Sequence, residues 1–160
     1  MNVHSPEHAD SGRMAFMREA LSLARANAAA GGRPFGAVLV RDGRVIARAV
    51  NRILETGDPI AHAELLAIRE AAQALGLVRL DGCTIYASGH PCPMCLAAMH
   101  LVGVEAVYYA YSNEDAEPFG LSTAAVYAQM ALPPPQQRLP LQRLRPDGEA
   151  GLYAQWAGSA

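Results

Sequence analysis

Two of the three cysteines of this chain stand three residues apart in the stretch HPCPMCLAAM, residues 90–99. This spacing places Cys92 and Cys95 on one side of the first turn of a predicted helix, where the helix N-terminus stabilises thiolates. A disulfide between residues so close on a helix would restrict the unfolded chain very little. A thiolate pair suits zinc, which binds sulfur at about 2.3 Å. The stretch therefore predicts half of a zinc site, and the chain must fold so that further ligands reach it.

The rest of the composition describes a chain of single-domain length. Its 160 residues are enough to bury one core, and 51% of them are hydrophobic. No apolar run approaches the roughly 20 residues that span a bilayer, and the N-terminus lacks the charged and then apolar pattern of a signal peptide. We therefore expect a cytoplasmic protein with no membrane partner. Thiols stay reduced in that compartment, so a close cysteine pair there indicates a metal site.

The charge pattern excludes several functions. The formal net charge is −2, and none of the 13 basic residues is a lysine. Without a lysine amine the chain has neither a Schiff-base nucleophile nor a Walker phosphate loop. The acidic balance also provides no positive field that would attract a polyanion, so we expect no nucleic-acid partner.

The order of the predicted elements indicates a three-layer α/β/α fold around a central mixed sheet of five strands. Ser11 is the predicted N-cap of the first helix, and Asp42-Gly43 joins two apolar runs as a tight hairpin turn. Helices are predicted over residues 13–30, 62–75, 92–102, 123–130 and 153–156. Strands are predicted on both sides of the hairpin turn and over residues 83–88, 105–111 and 138–144, with 105–111 as a central strand.

The same patterns divide the chain into three parts. A flexible N-terminal tail covers residues 1–12, and the α/β core covers residues 13–132. The proline run at 133–135 then begins a C-terminal tail, residues 133–160, with its own strand and helix.

A third zinc ligand follows from this fold. His62 opens a predicted helix, and helix starts that follow neighbouring strands lie at the same edge of a sheet. His62 can therefore meet Cys92 and Cys95, which gives three protein ligands and an open fourth position. That arrangement is typical of a catalytic zinc, whereas structural zinc sites have four protein ligands. The alternative is that His62 only caps its helix.

Glu64 lies two residues after His62, in the same first turn of the helix. A carboxylate beside the ion can take a proton from zinc-activated water and deliver it elsewhere, so we predict that Glu64 is the catalytic acid and base. A non-catalytic zinc scaffold that binds a partner subunit would have no use for this carboxylate. A thiol-redox protein would leave both His62 and Glu64 without a role.

The stretches DPIAHAELLAI and YASGHPCPMCLAAM resemble the zinc-dependent cytidine/deoxycytidylate deaminase superfamily, whose signature is H-x-E followed by P-C-x-x-C. RPFGAVLVRDG and VYYAYSNEDAEPFG are similar to its guanine deaminase-like branch. The resemblance covers about Met14 to Trp156. It implies a cytidine deaminase-like fold, Zn²⁺ as cofactor, and hydrolytic deamination of a free heterocyclic base. Guanine, which would give xanthine, is the leading substrate.

Asn51 is the first predicted substrate contact. On the second hairpin strand, Val45, Ala47 and Ala49 are expected to share one face, which Asn51 continues. An amide offers both a donor and an acceptor to the edge of a nucleobase, and the resemblance implies a substrate-binding Asn at this position. The alternative is that Asn51 caps the strand end.

Three further substrate contacts are expected. Phe35 would stack on the base, with a core position as the alternative, and Asp115 would bind a purine N–H or amino group, with a solvated loop acid as the alternative. Ala63, inside the H-A-E motif, completes the expected set. His90 departs from the family pattern, which usually has Glu there, so the ring that is deaminated stays open.

Several related functions therefore stay open. A tRNA adenosine deaminase shares the zinc residues but must bind a polyanionic stem-loop, which the acidic charge disfavours. Cytosine-like, triazine and pterin rings are alternative substrates. The resemblance also implies a homodimer in which the C-terminal tail crosses to the second subunit and brings Trp156 near its active site. The alternative is a tail that packs on its own sheet.

Overall fold

The computed structural model describes residues 6–158, with side chains from residue 11 onward. Its helices are α1 (Pro6–Ala29), α2 (Ile53–Thr56), α3 (Ala63–Leu75), α4 (Pro93–Val102), α5 (Asn113–Ala116), α6 (Ala124–Met130) and α7 (Leu152–Ala157). Its strands are β1 (Gly36–Arg41), β2 (Arg44–Val50), β3 (Cys83–Gly89) and β4 (Ala106–Tyr111), and short 3₁₀ turns lie at Glu117–Phe119 and Pro134–Gln136. Within the described chain, no helix is both long enough and apolar enough to cross a bilayer.

The sheet has the strand order β2-β1-β3-β4. β1 pairs antiparallel with β2 and with β3, and β3 pairs parallel with β4, so the sheet is mixed as predicted. Asp42 and Gly43 form the predicted hairpin turn with φ values of 50° and 71°. Two successive left-handed residues are what the tight turn of a twisted hairpin requires.

Helices cover both faces of the sheet, which confirms the three-layer architecture. Side chains alternate between the faces along each strand. On one face, Val38, Val40 and Tyr86 pack against Ala20 and neighbouring residues of α1. On the other face, strand residues pack against α3 and α4 in the larger core cluster, which includes Leu39, Ala47, Ile85, Ala67, Ala71, Cys95 and Met99. The alanine-rich surface of α3 lets this helix approach the sheet closely.

The expected fifth strand is wrong, because the described residues form a sheet of four strands. Residues 138–144 have no strand pairing. Pro140 has no N–H for a ladder, and the amide of Arg138 donates to Gln129 Oε1 at 2.7 Å instead. Without a fifth strand, β4 lies at the edge of the sheet and is more exposed than the predicted central strand would be.

Two local predictions are also corrected. The first helix begins at Pro6, ahead of the predicted cap Ser11, and includes residues 6–12 that we expected in a tail. Proline suits the first turn of a helix, since its missing N–H would have no helical partner there. Residues 1–5 lie outside the described residues.

Val45 does not share a face with Ala47 and Ala49. Leu39 pairs with Ala47 while Val40 pairs with Val45, so Ile46 is an extra residue in β2. This β-bulge reverses the side-chain alternation. Val45 therefore packs with the α1 face, whereas Ala47 and Ala49 lie in the larger core.

The chain divides into two compact units between Tyr127 and Ala128. The first unit contains the whole sheet with α1 to α5. The second contains the 3₁₀ turn at Pro134–Gln136 and α7, and its described hydrogen bonds include Gln137 Nε2 donating to Leu132 O at 2.9 Å.

Candidate active site

Two helix starts carry the predicted metal ligands. His62 is the N-cap of α3 and Cys92 is the N-cap of α4, both with extended backbones. Neither side chain makes a capping hydrogen bond. His62 is therefore not the helix cap that the alternative interpretation required, and both side chains point to other partners. Cys95 lies in the first turn of α4 and is fully buried.

The three predicted ligands come together in one cluster. The Cys92 and Cys95 sulfur atoms are 3.5 Å apart, and His62 Nδ1 lies 3.5 Å from the first and 3.6 Å from the second. A tetrahedral zinc, with Zn–S bonds of about 2.3 Å and Zn–N bonds of about 2.0 Å, separates two sulfur ligands by about 3.8 Å and a sulfur from a nitrogen by about 3.5 Å. The triangle matches these spacings closely, so the donor set suits zinc with one position left open.

The electrostatics of the cluster prepare it for a cation. The hydrogen bond with Cys95 lowers the pKa of the Cys92 thiol far below its ordinary value, and His62 adds to this effect. The same thiol pairing, together with burial, raises the pKa of Cys95. The hydrogen bond to Cys92 in turn raises the pKa of His62. The two thiols thus hold one proton between them, which a metal bound by both sulfurs would displace.

Glu64 lies beside this cluster in the first turn of α3 and is only 7% exposed. Burial raises the pKa of its carboxyl group above the ordinary value. The carboxyl group also interacts electrostatically with Cys92 and His62, which shows that it lies next to the predicted ligands. A buried carboxyl group with a raised pKa can both accept and release a proton nearer neutral pH, as an acid–base catalyst must.

A cavity of about 470 Å³ lies in the first unit where β3 leads toward Cys92. Its lining includes Phe35, Ser88, Gly89, His90 and Asp115, with further residues from α1 and from the segment 111–121. The lining is mostly apolar with a few polar groups, which is typical of small-molecule sites. Because Ser88–His90 runs directly into Pro91 and Cys92, the cavity and the metal cluster share one stretch of chain.

Two of the four predicted substrate residues line this cavity. The Phe35 ring lies against Gly89, so close that a Cβ added there would be 3.0 Å from a ring carbon. Asp115 belongs to a capping box at the start of α5. Its Oδ2 accepts a hydrogen bond from Ser112 N at 2.8 Å, and its own N–H donates to Ser112 Oγ. One carboxylate oxygen of Asp115 therefore has a structural partner.

Asn51 and Ala63 are not among the residues that line the cavity. Asn51 is 4% exposed, and its Oδ1 accepts a hydrogen bond from Ile53 N at 3.2 Å, as the capping alternative expected. Ala63 is fully buried in the larger core.

Sequence reasoning did not select Asn113 or Tyr127, which the structure places around the same site. Asn113 Nδ2 lies 3.4 Å from His90 Nδ1, and the Tyr127 hydroxyl donates to the carbonyl of Pro91. These contacts join residues 23 and 36 positions apart. No local pattern marks such pairs, because their side chains meet only in the folded chain.

Known proteins resemble this chain over the part that contains the cluster. The model of the cytidine and deoxycytidylate deaminase zinc-binding region matches residues 11–111. Guanine deaminase of Bacillus subtilis is 37% identical over 91% of this chain and 94% of its own length. Its crystal structure has a TM-score of 0.85 at 36% identity, over 92% of this chain and 94% of that one.

Two other relatives match a smaller part of the chain. A tRNA-specific adenosine deaminase of Agrobacterium fabrum is 47% identical, but over 61% of this chain and 64% of its own. A structure solved with 2,6-diaminopurine has a TM-score of 0.67 and 34% identity, over 69% of this chain and 62% of that one. The family match covers both helix starts that carry the ligand cluster. The chain therefore belongs to the cytidine and deoxycytidylate deaminase family, whose zinc-binding region it contains.

Proposed function

We propose that this protein is a zinc-dependent deaminase of a free nucleobase, which converts guanine and water to xanthine and ammonia. The observation that carries the proposal is the buried Glu64 beside a three-ligand cluster with an open fourth position. The similarity to a guanine deaminase over nearly the whole of both chains supports guanine as the first substrate.

His62, Cys92 and Cys95 would hold the zinc in this mechanism. The ion would supply a Lewis acid that lowers the pKa of a bound water to about 7. Glu64 accepts the proton that the attacking water loses, and then gives it to the ring nitrogen beside the carbon under attack. Glu64 then takes the proton of the newly attached hydroxyl group and gives it to the amino group, so that the carbon–nitrogen bond breaks, the carbonyl forms and ammonia departs. The buried position of Glu64 keeps bulk water from competing for these protons.

Side chains around the cavity would select the base. Phe35 offers a ring face for stacking, and Asp115 offers its second carboxylate oxygen to a purine N–H or amino group. Asn51 would give its Nδ2 donor to an acceptor on the base, since its Oδ1 already binds Ile53 N. Ala63 would be a further contact of the base, from within the H-A-E motif.

The deciding experiment measures ammonia release from a panel of substrates. It contains guanine, adenine, cytosine, a triazine, a pterin, guanosine and a tRNA anticodon stem-loop. Guanine should be the preferred substrate. Asn51→Ala should weaken binding by about 1–3 kcal/mol, which is the cost of a lost buried hydrogen-bonded group. Activity on the stem-loop with none on a free base would identify a tRNA adenosine deaminase instead.

We further propose that the protein is a cytoplasmic homodimer. All three cysteines are free thiols, and a reducing compartment would keep the two ligand thiols available for zinc. In the second unit, Leu141, Leu144, Tyr153 and Trp156 are each more than 70% exposed. Such apolar surface is typical of a region that contacts another subunit, and we place it near the active site of a second copy.

A further inference from the structure

The carbonyl group of Pro91 has two side chains within hydrogen-bond distance. The Tyr127 hydroxyl donates to it, and His90 Nδ1 lies 3.0 Å away. A carbonyl oxygen has two lone pairs, so it has room for two such partners. Pro91 is buried and directly precedes Cys92, whose sulfur lies 3.5 Å from both His62 Nδ1 and the Cys95 sulfur.

This carbonyl belongs to the peptide unit that joins Pro91 to Cys92. The proline ring fixes φ at Pro91, so ψ at Pro91 and φ at Cys92 are the soft torsions around that peptide. A hydrogen bond that fixes the carbonyl also fixes the plane of the peptide. The direction of the Cys92 Cα–Cβ bond, and with it the place of the sulfur, depends on that plane.

Tyr127 is itself held in place by neighbouring contacts. Its ring meets the His90 ring edge-on, with centroids 5.2 Å apart. At the start of the same helix, Thr123 N donates to Asn113 Oδ1 at 3.0 Å and Thr123 Oγ1 does so at 3.3 Å. These bonds close the loop 114–122, which carries Asp115, and set the position from which α6 presents Tyr127.

We propose that Tyr127 is a positioning residue for the metal centre, which it serves by fixing the Pro91–Cys92 peptide through its hydroxyl group. It is not one of the three residues that could hold the metal. Its removal should leave the three ligands present but less well placed, and so weaken zinc binding. The inference rests on the zinc cluster alone and is independent of which base is deaminated.

Tyr127→Phe is the direct test, because it removes the hydroxyl and keeps the ring packed on His90. Tyr109→Phe is the matched control. Its ring also packs on His90, with centroids 4.7 Å apart, and Tyr109 has no described hydrogen bond through its hydroxyl. Zinc affinity is measured by chelator competition on the full chain. The absorption spectrum of the cobalt-substituted protein reports the geometry of the thiolate ligands.

Tyr127→Phe should bind zinc about 10-fold more weakly, the lower end of the range for residues that orient metal ligands. Its cobalt spectrum should also differ from that of the unsubstituted protein. Tyr109→Phe should change neither property. Equal zinc affinity and an unchanged spectrum in Tyr127→Phe would overturn the proposal. An equal loss in Tyr109→Phe would overturn it as well, since the loss would then not depend on the hydroxyl group that contacts Pro91.

Discussion

Cys83 and Cys92 are both buried cysteines, yet their surroundings give the two thiols opposite chemistry. Burial raises the pKa of Cys83, which packs in the larger core at the start of β3. At Cys92, the hydrogen bonds from Cys95 and His62 outweigh burial and lower the pKa. Cys92, and not Cys83, is therefore the cysteine whose surroundings favour the thiolate that a metal needs.

Substitution of these two cysteines should separate a ligand from a core residue. Cys92→Ser should lose zinc, measured as metal per chain, because serine removes the soft sulfur ligand. Cys83→Ser should keep one zinc per chain and lose some thermal stability, since it places a hydroxyl group in an apolar core. Full zinc occupancy in Cys92→Ser would refute the ligand assignment.

Glu64→Gln should separate proton transfer from metal binding. The amide has nearly the same shape but cannot accept and release a proton, so kcat should fall by about 10²- to 10⁴-fold. Zinc content and the thermal unfolding midpoint should stay close to those of the unsubstituted protein. Near-normal turnover would mean that another group transfers the proton.

At the scale of elements, α1 lies very close to the sheet at Gly36, the first residue of β1. A Cβ added there would lie 2.6 Å from the carbonyl oxygen of Ala20 and 2.9 Å from Ala24 N. Both are backbone atoms, so the helix itself would have to move. Gly36→Ala should lower the free energy of unfolding by about 1–3 kcal/mol, the usual cost of overpacking.

Gly12→Ala is the control for this measurement by chemical denaturation. Gly12 lies within α1, and a Cβ there would meet nothing within 4 Å. Alanine in a helix interior is more favourable than glycine by about 0.5–1 kcal/mol, so this variant should be slightly more stable. A Gly36→Ala protein as stable as Gly12→Ala would contradict the close packing of α1 on β1.

Gly89, at the end of β3, offers a test of whether the Phe35 ring in the cavity contacts the substrate. A Cβ on Gly89 would lie 3.0 Å and 3.2 Å from two carbons of the Phe35 ring, which would have to shift. Gly89→Ala should therefore raise KM for the base several-fold while zinc content stays at one per chain. Steady-state kinetics with metal analysis check this, and an unchanged KM would exclude Phe35 from substrate binding.

At the scale of the whole molecule, the second unit leaves many large apolar side chains exposed. Truncation after Leu132 removes most of this unit, including Trp156. If the tail joins two subunits, the truncated chain should be monomeric by light scattering and should lose most of its deaminase activity. It should keep its zinc, because all three ligands lie in the first unit. A truncated chain that remains dimeric and fully active would refute the role of the tail.

Patterns that are local in the sequence predicted much of this protein. Asp42-Gly43 specified the hairpin, because few other residue pairs allow a left-handed conformation at both positions. Gly76 and Gly103 end α3 and α4 in the left-handed region, as expected for helix C-caps. The H-A-E and P-C-x-x-C motifs placed the ligands at helix starts, and the order of helices and strands predicted that these starts converge.

Contacts between distant residues decided the rest. The bulge at Ile46 depends on how β2 pairs with β1, and the lack of a strand at 138–144 depends on which partner the Arg138 amide finds. Tyr127 reaches Pro91 from 36 residues away. A single sequence encodes local preferences, whereas pairing register and side-chain convergence depend on the competition among many partners in the folded chain. The sequence by itself thus predicted the ligand residues and the elements that carry them, and the tertiary structure decided which distant side chains surround them.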